Sequence, residues 1–284
     1  MWGLVDGVLR IGGRGGRERH FTIRLPRDAP DAPPLVLMLH GRGGLRMSRE
    51  GTTFDAQADA WGMAVCHPEG YEETWADGRG VTPADAAGID DVAFLRAVIA
   101  YAAGRYGTPA DRTVVAGISN GAFMAHRLAM EASDQVAVVA TVAGGLPAYL
   151  ADAAPAYAVS ALLMHGTEDR LAPIGGGHSR HRGPDGELRG RMLSLDATAA
   201  HYRALDRCPP GPTHTTAGSS RTTSGAGAGG TRVAAWTVYG HGHAWPGTPT
   251  PPPWEEPSSL EFDAAEEICR FARPLLIPAA DRRR

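Results

Sequence analysis

Residues 35–39, Leu-Val-Leu-Met-Leu, are apolar at every position and run straight into His40-Gly41-Arg42-Gly43-Gly44. A strand with one wet face alternates apolar and polar side chains, so an unbroken apolar run bounded by turn residues predicts a strand covered on both faces. Further strands are predicted at 63–66, 113–118, 136–142, 161–164 and 233–239, with helices at 54–61, 91–106, 119–130, 194–205 and 264–271. In the second helix Val92, Leu95, Val98, Ile99 and Ala102 share one face, and Gly107 and Pro109 end it. Strand alternating with helix implies an α/β fold with a mostly parallel central sheet and helices on both faces. Phe21, Ile23 and Leu25 alternate with polar neighbours and read as an edge strand. Residues 213–230, rich in Ser, Thr and Gly, and 248–258, rich in Pro, read as surface loops, and 274–284 as a flexible tail. With 284 residues and 43% hydrophobic content, a single catalytic domain spanning 1–284 is expected.

Between the predicted strand at 113–118 and the following helix lies Gly117-Ile118-Ser119-Asn120-Gly121. A nucleophile elbow needs small residues two before and two after its serine, because the strand-to-helix turn leaves no room for side chains there. A Gly-rich turn with a capping serine is the plainer alternative. A serine hydroxyl is a poor nucleophile at neutral pH and needs a base, with an acid to hold that base in the right tautomer. The chain order Ser, Asp, His expected of an α/β-hydrolase fold finds Asp169 in His165-Gly166-Thr167-Glu168-Asp169, and His243 in Gly240-His241-Gly242-His243. Periodicity alone leaves Glu168 a rival for the acid and His241 a rival for the base. His126, His178, His181, His201 and His214 read as packed or surface residues, while His40 and His165 end strands and read as loop-orienting hydrogen-bonders. An oxyanion hole would draw on the Asn120 N–H and on one from His40-Gly41-Arg42-Gly43-Gly44, with Arg42 preferred over Gly41 and Gly43.

The remaining bulk features exclude more than they assign. A formal net charge of −3 offers no basic surplus for nucleic acid or an anionic membrane, and every Lys-plus-Arg position is arginine. Cys66, Cys208 and Cys269 match no zinc or redox spacing. No run of about 18 apolar residues and no leader-like start occurs, so a cytoplasmic protein is expected; a leader already removed would leave the same appearance. Nothing here fixes an oligomeric state.

Together the motifs resemble the esterases grouped with poly(3-hydroxybutyrate) depolymerases and feruloyl or acetylxylan esterases. The matching segments are Leu39-His40-Gly41-Arg42-Gly43-Gly44, Pro68-Glu69-Gly70 leading to Trp75-Ala76-Asp77-Gly78, Asp90-Asp91-Val92-Ala93-Phe94-Leu95, Gly117-Ile118-Ser119-Asn120-Gly121, His165-Gly166-Thr167-Glu168-Asp169 and Gly242-His243-Ala244-Trp245-Pro246-Gly247. The resemblance implies Asp169 as the acid and His243 as the base, needs no cofactor, and implies that Trp75, Trp245 and His40 line the substrate site, plain packing being the alternative for the tryptophans. Many members of the group pair a cysteine like Cys208 with one shortly before the catalytic-histidine strand, and this chain has no such partner. It also carries no polymer-binding domain after residue 273, so soluble esters or oligomers are expected over crystalline polyester. A peptidase on the same scaffold and a binding protein that kept the fold are the alternatives from other classes.

Overall fold

The computed structural model describes residues 4–12, 16–44, 49–180, 182, 186–188, 190–249 and 256–283. The first half contains β1 (Leu4–Ile11), β2 (Arg17–Arg24), β3 (Leu35–Leu39), α1 (Phe54–Trp61), β4 (Ala64–Pro68), α2 (Pro83–Ala86), α3 (Asp91–Tyr106), β5 (Thr113–Ile118), α4 (Asn120–Glu131) and β6 (Val136–Val142). The second contains β7 (Ser160–Gly166), β8 (Gly177–His178), β9 (Arg191–Met192), α5 (Leu195–Asp206), β10 (Thr213–Thr215), β11 (Ser219–Thr223), β12 (Val233–Val238) and α6 (Ala264–Ala272). Among the described residues ten strands form one sheet in the order β1-β2-β4-β3-β5-β6-β7-β12-β11-β10. The six strands from β4 to β12 in that order are mutually parallel, and an antiparallel pair extends each end.

Parallel strands all point their C-terminal ends at one rim, which is where ligands bind in such sheets. The apolar run of β3 divides between the two sheet faces. Leu35, Leu37 and Leu39 belong to one core cluster with residues of α3, α4 and α5, whereas Val36 and Met38 belong to the other with Phe54 and Ala58 of α1 and Ile268 and Cys269 of α6. All five β3 side chains are fully buried, and each such Leu or Val contributes about 1.5–3 kcal/mol by leaving water. Two motifs that look alike in sequence do different work here. Asp90 caps α3 by accepting the Ala93 N–H at 2.9 Å. Its neighbour Asp91 is buried against Arg19 at 2.6 Å, tying α3 to β2. Among the described residues no helix is long and apolar enough to cross a membrane.

Three sequence expectations need correction. The strand around Phe21 is not at the edge, because β1 pairs with it along its whole length. Residues 213–230 are not simply a loop, since β10 and β11 lie within them and widen the sheet. These strands carry Thr and Ser instead of an apolar alternation, but Thr is β-branched and favours extended backbone. Arg221 of β11 lies over Trp236 at 4.2 Å and Phe262 at 4.6 Å and pairs with Glu261 at 3.2 Å, so a cation holds this polar strand down. Cys208 is buried with its thiol 3.5 Å from Thr231 O, two residues before β12. Asp206 accepts the Thr231 hydroxyl at 2.6 Å, so a hydrogen bond joins these two segments. Of the Pro-rich stretch, residues 250–255 lie outside the described residues.

The third correction is the tail. Residues 273–275 and 279–282 form short 3-10 turns, and Arg282 is fully buried. Its guanidinium donates to Val136 O at 2.9 Å, Ala158 O at 2.7 Å, Asp111 O at 3.0 Å and Ile277 O at 2.9 Å, closing the sheet edge opposite the rim. A side chain that satisfies several buried carbonyls leaves all of them unpaired when it is removed. Arg282→Ala is therefore expected to lose about 3 kcal/mol of stability, read as a lower urea midpoint; a midpoint equal to wild type would mean the tail is dispensable.

Candidate active site

Ser119 sits at the C-terminal end of β5 with φ 55° and ψ −120°, a conformation that costs a non-glycine residue on the order of 1–3 kcal/mol. Two backbone hydrogen bonds hold it there, from the Ser119 N–H to Val142 O at 3.0 Å and from the Phe123 N–H to Ser119 O at 3.1 Å. The flanking glycines are required by space. A Cβ on Gly117 would lie 2.4 Å from Gly121 O, and one on Gly121 would lie 2.2 Å from Leu39 O. Ser119 thus stands on a turn with the dimensions of a nucleophile elbow. The loop after β3 passes beside it, for a Cβ on Gly41 would be 3.4 Å from Ser119 Cβ.

The loops after β7 and β12 meet on the same rim, because these strands are adjacent and parallel. His243 Nδ1 lies 2.9 Å from Asp169 Oδ2. Glu168 is exposed, whereas Asp169 is buried and accepts the Leu171 and Ala172 N–H groups at 3.0 and 2.8 Å on its other oxygen. His165 Nε2 approaches the same Oδ2 at 3.3 Å and also Ala172 O at 2.7 Å. Burial pushes the Asp169 carboxyl up, but the hydrogen bonds from His165 and His243 outweigh it and hold the group well below the usual carboxylate range.

His241 has no nitrogen left for a base. Its Nδ1 accepts the Ser259 N–H at 2.8 Å, which leaves Nε2 as the donor to Ala244 O at 3.0 Å. Burial lowers its pKa. Its function is to lock the loop, together with Glu256, which accepts the His243 N–H, and Pro257 O, which accepts the Gly242 N–H at 2.7 Å. No motif points to Glu256, because its spacing from His243 follows none. His126 is buried between Tyr202 OH at 2.9 Å and Gly144 O at 3.3 Å, and burial pushes it down to about 3. His178 and His214 are exposed, His201 is half-buried against Tyr202, and His181 lies outside the described residues.

The structure corrects the expected pocket residues. His40 is fully buried, takes the Gly70 N–H on Nε2 at 2.9 Å, and is pushed down to about 4 by that burial. Trp75 is fully buried and donates its indole N–H to His40 O at 2.9 Å. Trp245 packs on Phe54 with ring centres 5.8 Å apart and is 5% exposed. None of the three offers a face to a ligand; they support the loops from beneath. The Arg42 side chain turns away to donate to Val81 O, and Asn120 is buried with its side chain bonded to the Trp75 backbone. A small apolar cluster of Phe123, Ala172 and Met192 lies apart from the two core faces, bridging the elbow helix and the Asp169 loop. Among the described residues no group of His, Cys, Asp and Glu is arranged to hold a metal ion.

A mostly parallel sheet covered on both faces, with a strained serine at a strand-to-helix elbow, defines an α/β-hydrolase. Among solved structures, an acetyl xylan esterase from Aspergillus awamori matches with a TM-score of 0.56 at 13% identity, over 84% of this chain and 94% of that one. A thermostable esterase matches with a TM-score of 0.51 at 15% identity, over 71% of this chain and 52% of that one. Identities so low speak for the fold alone. In sequence, the chain is 31% identical over 265 residues to "Putative esterase NocK" of Nocardia uniformis subsp. tsuyamanensis, covering 82% of this chain and 72% of the relative. No protein-family model matches. The chain belongs to the family of that esterase, and this kinship supports hydrolysis of carboxylic esters as its activity.

Because the Asp169 carboxyl is held below its ordinary value of about 3.9, it adds stability above that pH, and the contribution is lost as pH falls through and below it. Asp169→Asn is expected to be less stable than wild type at pH 7, by a margin that is constant down to about pH 5 and shrinks below. Denaturant unfolding at pH 7, 5 and 3 measures the margin; one unchanged at pH 3 would show that the carboxylate charge is not what stabilises the site.

Proposed function

We propose that the protein is a serine esterase working through an acyl-enzyme, with Ser119 as nucleophile, His243 as general base and Asp169 orienting and stabilising the imidazolium. The observation that carries the reading is the Asp169–His243 pair at 2.9 Å on the rim that also holds the strained Ser119. With Nδ1 committed to Asp169, His243 has Nε2 left to exchange protons. As Ser119 Oγ bonds to the ester carbonyl carbon, its proton passes to Nε2. The Asn120 N–H and one from the loop at Arg42 receive the oxyanion, and proximity of Gly41 to Ser119 supports that loop as the second source. The C–O bond to the alcohol breaks as His243 returns the proton to the leaving oxygen. Water, deprotonated by the same histidine, then releases the acid and restores Ser119.

The substrates proposed are soluble esters with aryl, feruloyl, acetyl or short 3-hydroxyacyl groups. Hydrolysis of p-nitrophenyl esters, methyl ferulate and a 3-hydroxybutyrate oligomer tests this. Ser119→Ala and His243→Ala are each expected to lower kcat by roughly 10⁴- to 10⁶-fold, while Glu168→Ala stays within about threefold of wild type because that exposed carboxylate lies outside the pair. Equal background rates from wild type and Ser119→Ala would remove the esterase reading in favour of a binding role.

A further inference from the structure

The segment leaving β4, residues 70–79, contains none of the proposed triad, yet it grips both stretches of backbone assigned above to the oxyanion hole. On one side it fixes the peptide leading into Gly41 and Arg42. Trp75 Nε1–H donates to His40 O at 2.9 Å, the Gly70 N–H donates to His40 Nε2 at 2.9 Å, and the His40 and Trp75 rings lie 4.9 Å apart. On the other side it holds Asn120 by three hydrogen bonds. Asn120 Oδ1 accepts the Trp75 N–H at 2.7 Å, and its Nδ2 donates to Trp75 O at 3.1 Å and to Asp77 Oδ2 at 2.6 Å.

Asp77 is itself held from every side. Arg79 donates to its carboxylate through Nε at 3.0 Å and Nη2 at 2.8 Å. The guanidinium lies 3.4 Å over the ring of Phe123, on the same helix as Asn120 and three residues along. Tyr149, from the loop after β6, donates its hydroxyl to Asp77 O at 2.8 Å. Trp75 and Asp77 have no exposed surface at all, so neither can touch a substrate. A donor that stabilises developing negative charge works by being aimed before the charge appears, and a displacement of the order of 1 Å is costly. A backbone N–H cannot be aimed by its own side-chain torsions. It must be aimed by whatever holds the peptide plane.

We propose that residues 70–79 brace the oxyanion hole, with Trp75 and Asp77 as positioning residues that aim the Asn120 N–H and the N–H of the Arg42 loop. The brace rests on the serine-esterase reading above. One segment spans both donors, so their separation is set by a single piece of chain and does not depend on two independently moving loops.

Trp75→Phe removes one N–H while keeping most of the ring, and Asp77→Asn weakens the Asn120 and Arg79 contacts at nearly constant volume. In each, reactive sites are counted with a p-nitrophenyl alkylphosphonate, kcat and KM are measured on a soluble p-nitrophenyl ester, and Ki is measured for an arylboronic acid that forms a tetrahedral adduct on serine. Both variants are expected to lose roughly 10- to 100-fold in kcat per titrated site, with KM within about twofold and boronate Ki raised by a similar factor. A kcat within twofold of wild type, a raised KM at unchanged kcat, or a fallen kcat with unchanged boronate affinity would each overturn the brace. If Asp77→Asn does not fold, Trp75→Phe decides alone. A wild-type protein inert to the phosphonate, or a Ser119→Ala variant equally reactive, would instead remove the esterase reading and the brace with it.

Discussion

Everything at the rim depends on how closely α4 approaches β3. Gly121 lies so near Leu39 O that a single added carbon would sit at 2.2 Å, which no side chain survives. That approach lets β5 turn into a helix within one residue, and Ser119 absorbs the turn in a backbone conformation that is unfavourable for serine. The strain persists because β3, β5 and β6 are buried on both faces and hydrogen bonded on both edges. A sheet that rigid over-determines the position of the residue at its tip.

The second organising feature is the distribution of hydrogen bonds around Asp169. Its two oxygens face four donors, two from backbone and two from imidazoles, and that concentration of donors makes a buried carboxylate tolerable. The same logic separates the two histidines of one loop. His241 and His243 are two residues apart, but one is consumed by backbone partners on both nitrogens and the other faces a carboxylate on one nitrogen only. The difference is one of partners, because the two residues are chemically identical.

A polar network extends outward from the site in place of a substrate-facing aromatic lining. Trp75 and His40 underpin the loop beside Ser119, and Asp77 and Arg79 bind that underpinning to the elbow helix. At the far edge Arg282 performs a comparable service with carbonyls as its partners. The Trp75 indole N–H and the Arg282 guanidinium satisfy backbone carbonyls that loops would otherwise leave unpaired, and Arg79 pairs the buried Asp77 carboxylate.

Much of this was legible in the residues alone. The apolar runs determined which strands are central, Gly117 and Gly121 determined the turn at Ser119, and Ser194 marked a helix start. These are local signals, carried by period, by bulk and by capping. What the sequence could not decide was set by residues far apart in the chain. Glu168 against Asp169 and His241 against His243 are distinctions of one or two positions that periodicity leaves open; the family resemblance favours Asp169 and His243, and the contact between those two forms only where the β7 and β12 loops meet. The burial of Trp75, the strands in 213–230 and the docking of Arg282 likewise depend on partners about 15 to 150 residues away, and no local pattern encodes a hydrogen bond whose acceptor is brought up by a different element.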